Sequence, residues 1–176
     1  MKKILIVVDM QNDFIDGSLG TKEAVSIVDD VVKEIGNDHD HVICTRDTHH
    51  EDYMDTNEGR HLPILHCVEN SEGWQIRNEV MQAVKEKGSF EIIDKPTFGS
   101  ERMIEVLKRY DKEEKIEEIT LLGLCTDICV VSNALLVKAA FPEIRVAVKS
   151  KCCAGVTVDS HEAALTTMRM CQIEVE

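Results

Sequence analysis

The sequence lacks the features of a nucleic-acid-binding, membrane-spanning or secreted protein. Basic residues are in the minority, 20 against 33 acidic ones, and the formal net charge is −13. Because such a chain repels phosphate backbones and anionic lipid surfaces, we expect neither nucleic acid nor a membrane as a partner. No apolar run approaches the roughly 18 residues of a spanning helix, and the run Ile4–Val8 is too short for a secretory signal. We therefore expect a cytoplasmic protein.

The sequence also lacks the cysteine pattern of a disulfide framework. Its seven cysteines are an odd number, Cys152 and Cys153 are adjacent, and most of the others, such as Cys44, lie in apolar segments. We interpret most of them as small buried hydrophobic residues. There is no repeat, low-complexity tract or linker, and the length suits a single domain spanning residues 1–176.

The chain contains short runs of β-branched residues that alternate with amphipathic stretches, a pattern typical of a parallel sheet covered by helices. Strands are predicted at residues 3–8, 41–46, 90–94, 118–123, 144–148 and 171–175. Helices are predicted over Ala24–Ile35 and at residues 75–87, 100–110, 129–140 and 160–169. With right-handed crossovers, we expect an α/β fold: a three-layer α/β/α sandwich around a mostly parallel six-stranded sheet. The long irregular segment 47–73 holds most of the histidines, and loops of this length are usually functional.

Three reactive residues lie at or just after the ends of predicted strands. Asp9 follows the first strand, Lys95 follows a middle one, and Cys129 follows the strand that ends near Gly123. Because the carboxyl ends of parallel strands meet at one edge of a sheet, these residues are expected to converge there, as in a covalent hydrolase. Cys129 begins a predicted helix, whose amides and dipole favour a thiolate. The amides of Cys125 and Cys129 are the candidate oxyanion hole.

The string Gly-Leu-Cys-Thr-Asp-Ile-Cys-Val-Val-Ser-Asn-Ala around Cys129 resembles the nucleophile loop of the isochorismatase-like cysteine hydrolases, a family that contains the nicotinamidases. Asp9–Phe14 resembles the family's Asp-x-Gln-x-Asp-Phe motif, and Lys95–Ser100 its Lys-x-x-x-Ser/Gly motif, so the resemblance extends over nearly the whole chain. It implies the isochorismatase-like hydrolase fold and a catalytic triad. In this triad Asp9 takes the thiol proton of Cys129, and Lys95 holds the carboxylate and the thiolate in place.

The resemblance also implies a divalent metal site within the histidine-rich segment. Asp47, His49 and His66 match metal-ligand positions of nicotinamidases directly. Eight residues after Asp47, where histidine is the commonest ligand, this chain has Asp55. Some nicotinamidases instead use a glutamate shortly before the last histidine, and Glu58 is the preferred fourth ligand here. Two histidines and two carboxylates suit Zn foremost, and also Mn or Fe.

Further expectations concern aromatic and histidine residues near the site, and the resemblance implies two more, a cis peptide bond and an oligomeric state. Phe14 and Trp74 are candidate walls for the ring of a substrate, although an aromatic residue at either position equally suits core packing. His50 and His61 are interpreted as solvated surface residues. The peptide bond Leu124–Cys125 is expected to be cis. Because family members are often dimers or tetramers, we also expect a homo-oligomer.

The leading hypothesis is an amide hydrolase of this family, most concretely a nicotinamidase that yields nicotinate and ammonia. A pyridine nitrogen is a suitable ligand for the metal, so coordination would hold the ring while its carboxamide meets Cys129. Another small amide, such as a carbamoyl or ureido acid, remains an alternative substrate, and isochorismatase-type hydrolysis an alternative reaction. A non-enzymatic alternative is a thiol redox sensor, in which Cys125 and Cys129 form a reversible disulfide.

Overall fold

A single six-stranded sheet organises the protein, whose structure is a computed structural model that describes residues 1–176. The strand order is β3-β2-β1-β4-β5-β6, and every neighbouring pair is parallel. The strands are β1 (Lys2–Val8), β2 (His41–Asp47), β3 (Phe90–Lys95), β4 (Ile116–Leu124), β5 (Arg145–Ala154) and β6 (Glu174–Val175). The predicted parallel sheet is confirmed, and it is parallel throughout rather than mostly.

Eight α-helices connect the strands. They are α1 (Asn12–Ile15), α2 (Lys22–Ser26), α3 (Val28–Ile35), α4 (Asn57–His61), α5 (Asn78–Lys87), α6 (Glu101–Glu113), α7 (Val131–Ala140) and α8 (Val158–Met170). Helix α3 packs against α5 in one layer, while α7 packs against α6 and α8 in the other. The two layers and the sheet form the expected three-layer sandwich. None of the helices combines the length and the apolar character that crossing a bilayer requires.

The centre of the core is β1. Its residues Ile4–Val8 are at most 1% exposed, because a central strand of a parallel sheet is covered by helices on both faces. Strands β2 and β3 lie on one side of β1, whereas β4, β5 and β6 lie on the other, so the order in which strands are added reverses between β1 and β4. Ligand crevices form at such a reversal, outside the carboxyl ends of the strands. Asp9 follows β1 and Cys125 follows β4, so both lie at this position.

The helix predicted at residues 75–87 begins later, at Asn78. Residues 75–77 pair instead with the turn after β1. Ile76 forms an antiparallel bridge with Gln11, and the backbone N–H of Arg77 donates to the carbonyl of Met10 at 2.8 Å. This pairing with a distant part of the chain holds residues 75–77 in an extended conformation. The local amphipathic pattern, on which the helix prediction rests, contains no sign of that pairing.

Other element boundaries differ from the sequence prediction as well. The predicted helix over Ala24–Ile35 is two helices, α2 and α3, separated at Ile27. Segment 47–73 is not wholly irregular, because it contains α4 and the 3₁₀ turn Tyr53–Asp55. The helix predicted at 129–140 starts as the π-helical turn Thr126–Val130 before α7. Strand β5 is longer than residues 144–148. Strand β6 is shorter than 171–175, because the backbone N–H groups of residues 171–173 bond back to the last turn of α8.

Candidate active site

The carboxyl edge of the sheet brings Asp9, Lys95 and Cys129 together. Lys95 Nζ lies 2.7 Å from Asp9 Oδ2 and 3.4 Å from Cys129 Sγ. Asp9 is further held by Thr45, whose hydroxyl donates to Asp9 Oδ1 at 2.6 Å. All three predicted residues are buried. Lys95 is therefore placed to neutralise a negative charge on either the carboxylate or the sulfur.

Burial sets the resting protonation of these groups. It raises the pKa of the Asp9 carboxyl, an effect that neighbouring Lys95 offsets only in part. It also raises the pKa of the Cys129 thiol well above its usual value, and the nearby Asp9 raises it further, against the opposing effect of Lys95. Burial disfavours the Lys95 ammonium, but Asp9 and Cys129 outweigh burial and raise the pKa of Lys95. Burial and Asp9 thus favour the thiol form of Cys129. The Asp9 carboxylate, which shares the Lys95 ammonium with this thiol, has an increased proton affinity.

The nucleophile loop differs in detail from the predicted helix start. Cys129 lies within the π-helical turn Thr126–Val130, one turn ahead of α7. Burial is the largest influence on the pKa of Cys129 and raises it. The peptide bond Leu124–Cys125 is cis, as predicted. All seven cysteines are free, and no disulfide joins Cys125 to Cys129.

A second cluster of chemically active groups lies beside the first. One ligand atom from each of four residues lies within 4.8 Å of the other three, and these residues are Asp47, His49, Glu58 and His66. His49 Nε2 is 3.0 Å from Asp47 Oδ2, and His66 Nε2 is 3.5 Å from the same oxygen. Glu58 Oε1 lies 3.6 Å from His49 Nε2. Of the two acidic residues considered for the fourth position, Glu58 joins the cluster, whereas Asp55 is exposed and outside it.

The donor atoms of this cluster suit a divalent cation. Nδ1 of His66 lies 2.8 Å from the carbonyl of Ile64, to which it can donate, and this leaves Nε2 available as a ligand. Asp47 Oδ1 is buried without a hydrogen-bond partner. Burial raises the pKa of Glu58, and the adjacent Asp47 carboxylate adds to that effect. A cation would relieve this repulsion and satisfy the unpaired oxygen, so the residues fit a metal.

The nucleophile and the metal cluster line one cavity of about 820 Å³. Its walls include Cys125, Cys129 and the four residues of the metal cluster. Phe14 lines the cavity, and its ring centroid is 5.6 Å from that of His66. His61 also lines the cavity while remaining exposed, whereas His50 is not part of it. A small ligand in this cavity would meet the sulfur and the metal cluster together.

Trp74 does not line the cavity, and of its two predicted roles the structure favours core packing over a substrate wall. It is buried. The guanidinium of Arg46 lies 3.5 Å from its ring centroid, and its Nε1 donates to the hydroxyl of Thr48 at 2.8 Å. Trp74 therefore packs against the end of β2. Its position in the sequence could not distinguish this packing role from contact with a substrate.

The site contains three supporting residues to which the sequence analysis assigned no role: Thr45, Tyr53 and Asn133. Asn133 is fully buried and donates to the carbonyl of Cys129 at 2.8 Å, while its oxygen accepts the N–H of Ser100 at 2.9 Å. Asn133 thereby joins the nucleophile loop to the segment after Lys95. Tyr53 is buried beside both histidine rings of the metal cluster. Asn133 belongs to the motif around Cys129, which was the available signal, but nothing in the sequence distinguishes Tyr53 or Thr45.

Comparisons with known proteins agree with this geometry. The profile of the Isochorismatase domain family matches residues 3–176. The nicotinamidase/pyrazinamidase of Mycobacterium tuberculosis is 26% identical over 184 residues, covering 98% of this chain and 97% of the relative. The crystal structure of the nicotinamidase/pyrazinamidase PncA from Bacillus subtilis superposes with a TM-score of 0.84 at 25% identity, covering 99% of both chains.

A further solved structure shows the same fold. The pyrazinamidase of Pyrococcus horikoshii, crystallised in complex with zinc, superposes with a TM-score of 0.77 at 22% identity, covering 100% of this chain and 99% of the other. The match of the family profile to nearly every residue, together with the cysteine site at the sheet edge, leads to one conclusion. The chain belongs to the isochorismatase family.

Proposed function

We propose that the protein is a cysteine-dependent amide hydrolase that converts nicotinamide and water to nicotinate and ammonia. The observation that carries this proposal is the contact of Lys95 Nζ with both Asp9 and Cys129, where Cys129 lines the same cavity as the metal cluster. Relatives named nicotinamidase match along almost the whole chain, which supports the choice of substrate. We also propose that residues 1–176 form one hydrolase domain.

The reaction begins with transfer of the Cys129 thiol proton to Asp9, whose buried carboxylate has increased proton affinity. The sulfur attacks the amide carbon, and Asp9 returns the proton to the nitrogen, so that the C–N bond breaks and ammonia leaves. A thioester then links Cys129 to the acyl group. Water attacks the thioester carbon and gives a proton to Asp9. The C–S bond breaks, and the thiol regains its proton as the acid is released.

The amide carbonyl oxygen of the substrate becomes negatively charged when the sulfur attacks, and hydrogen-bond donors already in position stabilise this charge. We assign this role to the backbone amides of Cys125 and Cys129, which belong to the cavity wall around the nucleophile. Lys95 stays protonated throughout, because the buried carboxylates of Asp9 and Asp47, 2.7 Å and 3.7 Å from its Nζ, favour its ammonium form. Its role is to hold the carboxylate and the sulfur close together while one or the other carries negative charge.

The metal cluster determines how the substrate is oriented. Asp47, His49, Glu58 and His66 would hold a divalent metal, for which Zn is our first choice, and Mn or Fe also suits the donor set. When bound, the metal would supply a Lewis acid suited to a pyridine ring nitrogen. Phe14, on the wall beside His66, packs against the ring. The carboxamide is then directed to Cys129.

Ammonia release from nicotinamide by the purified protein tests this function. We expect turnover by the zinc-loaded protein, loss of turnover after chelation, and recovery when zinc is restored. Cys129→Ala should abolish turnover. Cys171→Ala is the matched control, because Cys171 is an exposed cysteine in the chain and lies outside the cavity.

Two outcomes would contradict separate parts of the proposal. If zinc-loaded protein releases no ammonia from nicotinamide but does so from a carbamoyl or ureido acid, the triad chemistry stands and the substrate is wrong. If turnover is unchanged by a chelator that has removed all bound metal, the role of the metal cluster is wrong.

A further inference from the structure

The turn after β1 carries polar residues at every second position, and the proposed reaction uses only the first. Asp9 faces Lys95, whereas Gln11 and Asp13 make their hydrogen bonds to other segments of the site. Gln11 is fully buried. A buried primary amide is costly unless its donors and acceptor are paired, so the partners of Gln11 indicate what it does.

The side chain of Gln11 holds the backbone of the metal-cluster residue Asp47. Its Oε1 accepts the N–H of Asp47 at 2.8 Å, and its Nε2 donates to the carbonyl of Asp47 at 2.8 Å. The same Nε2 donates to the carbonyl of Trp74 at 2.9 Å. The backbone of β1 turns away from β2 at Asp9, where φ is +46°. The side-chain amide of Gln11 makes the hydrogen bonds to Asp47 that a backbone peptide group of β1 would otherwise make. It thereby extends the pairing of β1 with the end of β2.

Asp13 holds the other side of the metal cluster. Its Oδ2 accepts the backbone N–H of Cys67 at 2.8 Å, directly after the metal-cluster residue His66. The carbonyl of Cys67 in turn accepts the backbone N–H of His49 at 3.0 Å. One carboxylate thus holds the backbone of Cys67, the residue whose carbonyl pairs with the segment of His49.

We propose that Gln11 and Asp13 are positioning residues of the metal cluster, and that the turn carrying the proton acceptor Asp9 also sets the geometry of Asp47, His49 and His66. This inference rests on the metal site of the proposed function. None of the bonds made by Gln11 or Asp13 reaches a candidate ligand atom, so their effect passes through the backbone. Loss of residues that orient metal ligands typically weakens metal binding by about 10–100-fold.

The test is a Co²⁺ titration of metal-free protein, followed by the visible absorption of the bound ion. Gln11→Met keeps the side-chain length without the amide, and Asp13→Ala removes the carboxylate. Asp13→Asn keeps an oxygen that can accept the N–H of Cys67, so it should restore binding. The control is Val31→Ala, which creates a cavity in the buried face of α3 against α5, outside the functional cavity.

We expect Gln11→Met and Asp13→Ala to weaken Co²⁺ binding by roughly 10–100-fold and to change the absorption spectrum. Asp13→Asn should recover most of the affinity, and Val31→Ala should leave affinity and spectrum unchanged although it lowers the melting temperature.

Wild-type affinity and spectrum in a folded Asp13→Ala protein would overturn the inference, as would an equal loss in Val31→Ala. Because the titration contains no amide, wild-type protein that binds Co²⁺ without hydrolysing nicotinamide would refute only the substrate. If wild-type protein binds no Co²⁺, both the metal site and this inference fail.

Discussion

Asp9 and Asp47 are the same residue type at the carboxyl ends of neighbouring strands, yet their carboxyl groups behave in opposite ways. Asp9 follows β1 and Asp47 ends β2, both are buried, and Lys95 Nζ lies 2.7 Å and 3.7 Å from them. Burial raises the pKa of Asp9, and Lys95 does not fully offset it. Burial acts on Asp47 in the same direction, but contacts with His49 and His66 outweigh it and hold its pKa below the usual range.

The difference shows how one sheet edge can provide a proton acceptor and a cation site side by side. The topology determines which residues meet, because strand ends converge there. The partners then decide the role of each carboxylate. Asp9, with one ammonium and one hydroxyl as partners, can take a proton. Asp47, with two imidazoles and the same ammonium, stays ionised and can hold a metal.

The largest effect on this arrangement should come from Lys95→Met, because Lys95 is shared by both carboxylates. Removing one partner from a buried ion pair leaves an uncompensated charge and costs about 3–5 kcal/mol in the free energy of unfolding. Urea unfolding of the variant measures this loss. Lys149→Met is the control, because Lys149 pairs with Glu176 at a solvated site, where an ion pair contributes roughly 0–1 kcal/mol. Equal losses in the two variants would show that Lys95 is not the shared cation.

An intermediate effect, confined to the metal cluster, is expected from Gly73→Ala. A Cβ atom at Gly73 would lie 2.1 Å from Asp13 Oδ2, the oxygen that accepts the N–H of Cys67. Displacing this carboxylate should weaken Co²⁺ binding by about 10–100-fold, measured by titration of the metal-free protein.

Gly88→Ala is the control for that substitution. Gly88 has a φ of +82° and open space around it, so alanine there strains the backbone outside the functional cavity. It should lower the melting temperature while leaving Co²⁺ affinity intact. A Gly73→Ala protein with the affinity of the wild type would contradict the role of Asp13.

The smallest effect is expected from Trp74→Phe, which keeps a ring beneath Arg46 and removes the hydrogen bond to Thr48. One such bond is worth about 0.5–1.5 kcal/mol of stability, so urea unfolding should register a loss of this size. Turnover of nicotinamide should change little, because Trp74 does not line the cavity. Phe14→Ala is the comparison on the cavity wall and should raise KM. A larger change in KM for Trp74→Phe than for Phe14→Ala would show that Trp74, rather than Phe14, contacts the substrate.

The sheet and the convergence of the triad could be predicted from the sequence because both follow from local patterns. β-branched runs indicate buried parallel strands, and the residues after such strands meet at one edge. The same principle predicts that Asp9, Lys95 and Cys129 meet.

Features that depend on tertiary partners could not be predicted in this way. The extended segment before Asn78 is held by pairing with the turn after β1, and no local propensity encodes that pairing. Trp74 has the same sequence signal whether it faces a ligand or packs beneath Arg46. Burial and Asp9 raise the pKa of Cys129, and both depend on neighbours that are distant in sequence.

The most direct test of the contrast between the two carboxylates measures kcat for nicotinamide and Co²⁺ affinity in Asp9→Asn and Asp47→Asn. Loss of a proton acceptor typically costs about 10²–10⁴-fold in rate, so Asp9→Asn should lower kcat by this factor and bind Co²⁺ like the wild type. Asp47→Asn should weaken Co²⁺ binding by more than the roughly 10–100-fold typical of supporting residues, and saturating metal should restore part of its turnover. If both variants lose Co²⁺ affinity equally, or if Asp9→Asn retains full turnover, the two carboxylates do not have separate roles and the account is wrong.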